Sequence, residues 1–230
     1  MYELSIVFQK SLLAIRKYWF SLLTITFITE GIVLFAQDVL KKQKFDFLSS
    51  PGRVFLGFFV VSLFTPPGKA AVAYLLSRGQ AQANSGLVAY LEVIKTLPLV
   101  LIVGVLWYIG TLIGLGLLLV PGIGFFFYGQ FVAQALVVEK LGVVAAFQTS
   151  WNLVKQQFWT LVVLFFALEI GQGIVSQIFT AIIFGIIPSA KPYIVEWFVA
   201  TLVAVFVYVP LAVMYLERSH KHVKVNKHTF

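Results

Sequence analysis

The chain has 230 residues, 60% of them hydrophobic and only 11% charged, with a net charge of +8 and no cysteine. A soluble domain carries about twice that charged fraction, and continuous apolar runs also exclude an outer-membrane barrel, whose strands alternate. The basic residues lie at loop ends and form no stripe with stacking aromatics, which argues against nucleic acid as a partner.

Residues 4–19 predict an interfacial helix: Leu4, Phe8, Leu12, Ile15 and Trp19 share one face, while Gln9, Lys10, Arg16 and Lys17 lie elsewhere. No small-residue cleavage site follows, so a retained segment is expected rather than a signal peptide. Span one covers about 20–39. A polar connection with a Ser50-Pro51-Gly52 turn signal leads to span two, about 54–76. Pro66-Pro67-Gly68 interrupts it and predicts a kink or a broken helix.

Residues 77–86 form the most polar internal segment and the expected unit boundary. A second amphipathic helix is predicted over 87–96 and span three over about 97–120. Gly110 and Gly114 form a GxxxG that allows close helix approach. Pro121-Gly122 predicts a tight turn into span four, which ends at Val138. A third amphipathic helix covers 142–157, span five about 158–187, and span six about 193–216 with Pro210 inside it. The basic tail, 217–230, is expected to be flexible.

The expected class is therefore all-α: a polytopic membrane protein with about six transmembrane helices. With the N-terminus inside, eleven Lys and Arg fall on inner segments and five on outer ones, and Lys69 falls within a span. That bias predicts a cell (inner) membrane protein with both termini cytoplasmic, its inner face against anionic membrane lipids.

Residues 8–30 lie over 147–169 without a gap. Phe8 falls on Phe147, Gln9 on Gln148, Ser11 on Ser150, Leu22 on Leu161, Phe27 on Phe166 and Glu30 on Glu169. A weaker third copy offers Ala83, Leu87, Leu91, Ile94 and Pro98. The chain is thus expected to be one membrane domain of three hairpin repeats, about 1–79, 80–140 and 141–218, each opened by an amphipathic interfacial helix. Residues 219–230 would be a cytoplasmic tail. An even number of spans per unit makes the copies parallel.

Leu119-Val120-Pro121-Gly122-Ile123, Val137-Val138-Glu139, Gly142, Ala146, Ser150-Trp151, Leu153-Val154-Lys155 and Phe158-Trp159 form a recognisable series. It resembles the membrane domain of glycerophosphoryl diester phosphodiesterase-like proteins. The likeness marks Pro121, Gly122, Glu139, Ser150, Trp151 and Trp159 as structural motif positions. It imports no activity: the metal ligands of the soluble phosphodiesterase barrel have no counterpart, and all three histidines lie in the tail.

Glu30 and Glu169 fall near mid-depth in spans one and five, where a carboxyl costs several kcal/mol unless paired, protonated or facing water. Thr26, Glu30 and Gln37 share a helical face, as do Glu169, Gln172, Ser176 and Thr180, and as do Gln130 and Gln134. These stripes are expected to face the bundle interior as a polar site. Lys69 could pair with either glutamate, but snorkelling to the interface is the favoured expectation. The Trp and Tyr residues, Trp107 and Tyr215 included, read as an interface belt. No paired carboxylates in a cleft, nucleophile with base, metal set or phosphate loop is legible, so no catalytic residue and no cofactor is expected.

The leading expectation is a non-catalytic accessory, scaffold or assembly component that contacts lipids and other membrane-protein subunits. The alternative is a small transporter or flippase-like protein using Glu30 and Glu169. A cavity reaching both glutamates would favour the transporter; a solid core would favour the scaffold.

Overall fold

The computed structural model describes residues 2–42, 50–78, 86–189 and 191–226. The polar connection over 43–49, most of the polar boundary segment and the last four residues lie outside them. The described residues are helical almost throughout, in nine helices: α1 (Tyr2–Lys42), α2 (Ser50–Arg78), α3 (Gly86–Lys95), α4 (Leu97–Leu117), α5 (Leu119–Tyr128), α6 (Val132–Val138), α7 (Val143–Lys155), α8 (Phe158–Ile186) and α9 (Pro192–Asn226). Six stretches are long and apolar enough to cross a membrane, with α5 and α6 together making the fourth. The protein is an all-helical, membrane-embedded bundle.

α9 is the most buried of the six spans and α8 the least. α9 packs against α1, α2 and α8, and α2 packs against α1, α3, α4 and α6. One continuous core runs through this contact zone: Leu22 and Ile25 of α1, Ala70–Ala73 of α2, Val93 of α3, Leu136 of α6, Val154 of α7, and Leu211 and Tyr215 of α9. Alanines on α2 let the helix axes approach, which is how apolar spans gain packing where no water is expelled.

The joints between short and long helices share a backbone form. α1 bends at Tyr18 (φ −116°, ψ 21°), Thr96 precedes α4 (−106°, 7°), and Gln157 precedes α8 (−142°, 28°). α1 is thus two helices joined at that kink, the first ending where the sequence places the start of span one. On the short helices one set of large side chains turns outward while Ile15, Tyr90 and Leu153 are buried. Phe8 and Leu12 of α1, Leu87, Leu91 and Ile94 of α3, and Trp151 of α7 are exposed, while Ala89 and Ala146 are buried.

Three sequence expectations are corrected. α2 is not broken at Pro66-Pro67-Gly68; the helix runs through both prolines. Pro66 and Pro67 have no N–H for the carbonyls of Ser62 and Leu63. Gly104 of α4 lies against the Ser62 carbonyl, where a Cβ would come to 2.7 Å. The turn into span four is at Leu118, the single residue between α4 and α5, which is extended (φ −158°, ψ 140°), and Pro121 falls in the first turn of α5, where its missing N–H costs nothing. Gly122 presses on Leu115, and the GxxxG face of α4 meets α5, Gly110 under Phe125 and Gly114 under Gly122. The tail is helical through Asn226.

Candidate functional site

The fourth span is the irregular one. α5 ends at Tyr128 and α6 starts at Val132, with three turn residues, Gly129, Gln130 and Phe131, between them. Opening a helix inside a bilayer frees backbone groups that have no water to bond. Several of the freed groups have replacements. The Phe131 N–H bonds to Ser150 Oγ at 3.2 Å, and the same hydroxyl donates to the Tyr128 carbonyl at 2.5 Å. Trp107 Nε1–H donates to the Phe126 carbonyl at 3.0 Å. The Gln130 and Val132 N–H groups take three-residue bonds to Phe127 and Gly129. Gly129 is required because the Trp107 ring lies where a Cβ would sit, 2.1 Å from Cδ1.

Beside the break lies a cavity of about 410 Å³. Its polar lining comes from five spans: Glu30 and Gln37 of α1, Thr65 and Lys69 of α2, Gln130 at the break, Glu169 and Gln172 of α8, and Tyr208 of α9. Trp107, Phe126 and Phe165 supply aromatic walls. At about 1.5 Å per residue, Glu30 lies about 18 Å along α1 from Tyr18 and Glu169 about 16 Å along α8 from Phe158. Those depths reach the middle of a hydrocarbon core about 30 Å thick. Leu34, Gln37, Phe58, Val61 and Gln172 carry the lining away from α3 and α7, whereas the solid core closes the other end. Glu169 is exposed on the α8 side of the cavity.

Inside it, Tyr208 OH donates to Glu30 Oε1 at 2.8 Å, and Lys69 Nζ donates to Gln130 Oε1 at 3.1 Å. Among the described residues, neither carboxylate forms an ion pair with Lys69. The Gln130 amide nitrogen is buried with no partner. Every even-numbered span is weakened next to this cavity: α2 at Pro66-Pro67, the fourth span at 129–131, and α9 at Pro210, two residues past Tyr208.

Five of the six expected polar residues, Glu30, Lys69, Gln130, Glu169 and Gln172, meet in this cavity. Gln134 does not. It is buried one turn on from Gln130, with both amide atoms unpartnered. Lys69 does not snorkel: the opened span brings the Gln130 carbonyl oxygen within reach, so the ammonium has a partner at depth. Two carboxylates do share one cleft, contrary to expectation, because spans one and five converge on it. Trp107 and Tyr215 are not belt residues. Trp107 is buried and serves the freed Phe126 carbonyl, and Tyr215 is fully buried with its hydroxyl on the Glu139 carboxylate.

Three of the motif positions make identifiable contacts. Ser150 braces the break, Glu139 ties α6 to α9, and Trp151 stacks on Tyr128 at 3.8 Å and 18°. Trp159 is largely exposed beside Phe158, and Pro121 is exposed. Sequence reasoning missed Tyr208 and Trp107. A tyrosine hydroxyl two residues before a proline, in an otherwise apolar span, was the available signal for the first.

The fold and cavity define a class, a six-span helical membrane protein with a charged cavity at a discontinuous span. Compared with protein-family models, with curated proteins and with solved structures, the chain finds no match.

Proposed function

We propose that this protein is a small membrane transporter whose substrate and coupling-ion site is the cavity of Glu30, Lys69, Gln130 and Glu169. The observation that carries it is the position of that cavity. It lies near mid-depth, beside an opened span, with three charged groups that a scaffold has no need to hold apart. Discontinuous helices at mid-membrane recur where transporters bind ions and polar substrates, because unwound backbone is tolerated only where protein or a cavity receives it. A cavity lined by both glutamates supports the transport alternative over the scaffold.

In this reading the membrane is the cell membrane, and the charge bias puts both termini, α3 and α7 in the cytoplasm. The cavity then opens outward and the packed core is the closed inner gate. The gapless register of 8–30 on 147–169 supports a repeated unit, since it carries the Tyr18 kink onto the Gln157 joint and Glu30 onto Glu169.

The test is flux. Proteoliposomes holding a pH- or sodium-reporting dye are challenged with amino acids, amines and organic anions. Wild-type protein should give a solute-dependent signal with at least one class. The Glu30→Gln, Glu169→Gln pair should abolish it while reconstituting normally. No signal with any class, or a full signal from the Gln pair, would contradict the transporter reading.

A further inference from the structure

We infer that the cavity takes a zwitterion, a ligand carrying an ammonium and an anionic carboxylate or phosphate group; this rests on the transport reading above. Lys69 stands on one side of the cavity, fixed by the Gln130 carbonyl oxygen and keeping two N–H donors. Glu30 and Glu169 stand on the other helices. Tyr208 occupies one Glu30 oxygen, and no described residue bonds to the Glu169 carboxylate. The opposite charges line one 410 Å³ space without forming an ion pair.

That separation decides the ligand class. A simple cation held by the carboxylates would face the Lys69 ammonium, and a simple anion held by Lys69 would face two carboxylates. Like-charge juxtaposition at close range is unfavourable and disfavours either simple ion. A ligand with both signs places its anion against the Lys69 ammonium and its ammonium between the two carboxylates, so neither end meets a like charge alone. The Gln130 amide nitrogen, buried and unpartnered, adds a donor on the Lys69 side that a small rotation of the amide would bring to an anionic group. The volume is ample for a small polar molecule with water around it.

Two sources share this chemistry, a free solute such as an amino acid and the headgroup of a zwitterionic lipid. The full chain is reconstituted in nanodiscs of phosphatidylglycerol, and its thermal unfolding is followed with β-alanine, propylamine and propionate. These three probes match in size and differ in charge. β-Alanine should stabilise the protein at about ten-fold lower concentration than either analogue, the order expected of one more charge-assisted hydrogen bond. Lys69→Gln should bring β-alanine down to the level of propylamine, and the Glu30→Gln, Glu169→Gln pair to that of propionate. Stabilisation by phosphatidylethanolamine nanodiscs, with no response to β-alanine in phosphatidylglycerol, would assign the zwitterion to lipid and uphold the inference. Propylamine acting as well as β-alanine would overturn it and leave an amine transporter standing. No stabilisation by any probe or by either lipid would also overturn it. The wild-type comparison does not depend on the variants folding. The flux assay then reports separately on the transport reading.

Discussion

Ser150 takes over from the helix at Phe131: its hydroxyl accepts the Phe131 N–H at 3.2 Å and returns its own proton to the Tyr128 carbonyl at 2.5 Å. Replacing Ser150 by Ala leaves a buried donor and a buried acceptor unpaired. The cost should be about 1–3 kcal/mol for each group left bare, less whatever relaxation re-forms the helix. Denaturation of the reconstituted protein measures it. A Ser150→Ala variant as stable as wild type would mean that the break closes without its brace.

Gly129 and Trp107 make a second, independent constraint on the same three residues. A Gly129→Ala methyl would meet the Trp107 ring at 2.1 Å and push the indole off the Phe126 carbonyl. Overpacking of this kind costs about 1–3 kcal/mol, and the lost hydrogen bond adds to it. Trp107→Ala makes room but leaves the carbonyl bare. The two changes together should therefore cost less than their sum, by about 0.5–3 kcal/mol in a double-mutant cycle. Strict additivity would show that the ring and the glycine do not share the strain.

Topology is checked by reporter fusions after Arg218 and within 41–53. Eleven inner positive charges against five predict opposite sides, with the tail in the cytoplasm. A tail on the outer side would invert the account, and the cavity would then open toward the cytoplasm.

The six spans were legible because hydrophobic length is a one-dimensional property: about 20 apolar residues are needed wherever the helix goes. The short helices were legible from periodicity, and 142–157 became α7 (Val143–Lys155) with little change. The polar stripes of Glu30, Gln130 and Glu169 could be assigned to the interior because charge in lipid is costly. Their convergence could not, since it depends on which spans neighbour one another. The helix breaks were misplaced for a physical reason. Prolines at 66 and 67 look like the strongest breakers, yet the packed bundle absorbs two missing hydrogen bonds in α2. The real opening, at Gly129, is created by partners far away in sequence: Trp107, 22 residues before it, and Ser150, 21 residues after it. Lys69 followed from the same error, because no partner at depth was visible before the span opened beside it.

The central claim is that water reaches Glu169 and Gln172 through the cavity, and the absence of native cysteine makes it directly measurable. Gln172→Cys places a single thiol in the lining, and Ile174→Cys places one on an exposed face of α8 outside it. Charged, membrane-impermeant thiol reagents attack only an ionised thiol, which forms in water and not in lipid. In intact cells the account predicts labelling at position 172 from outside, none at position 174, and protection at position 172 by a bound substrate. Equal resistance at both positions, with each protein shown to be in the membrane, would contradict it.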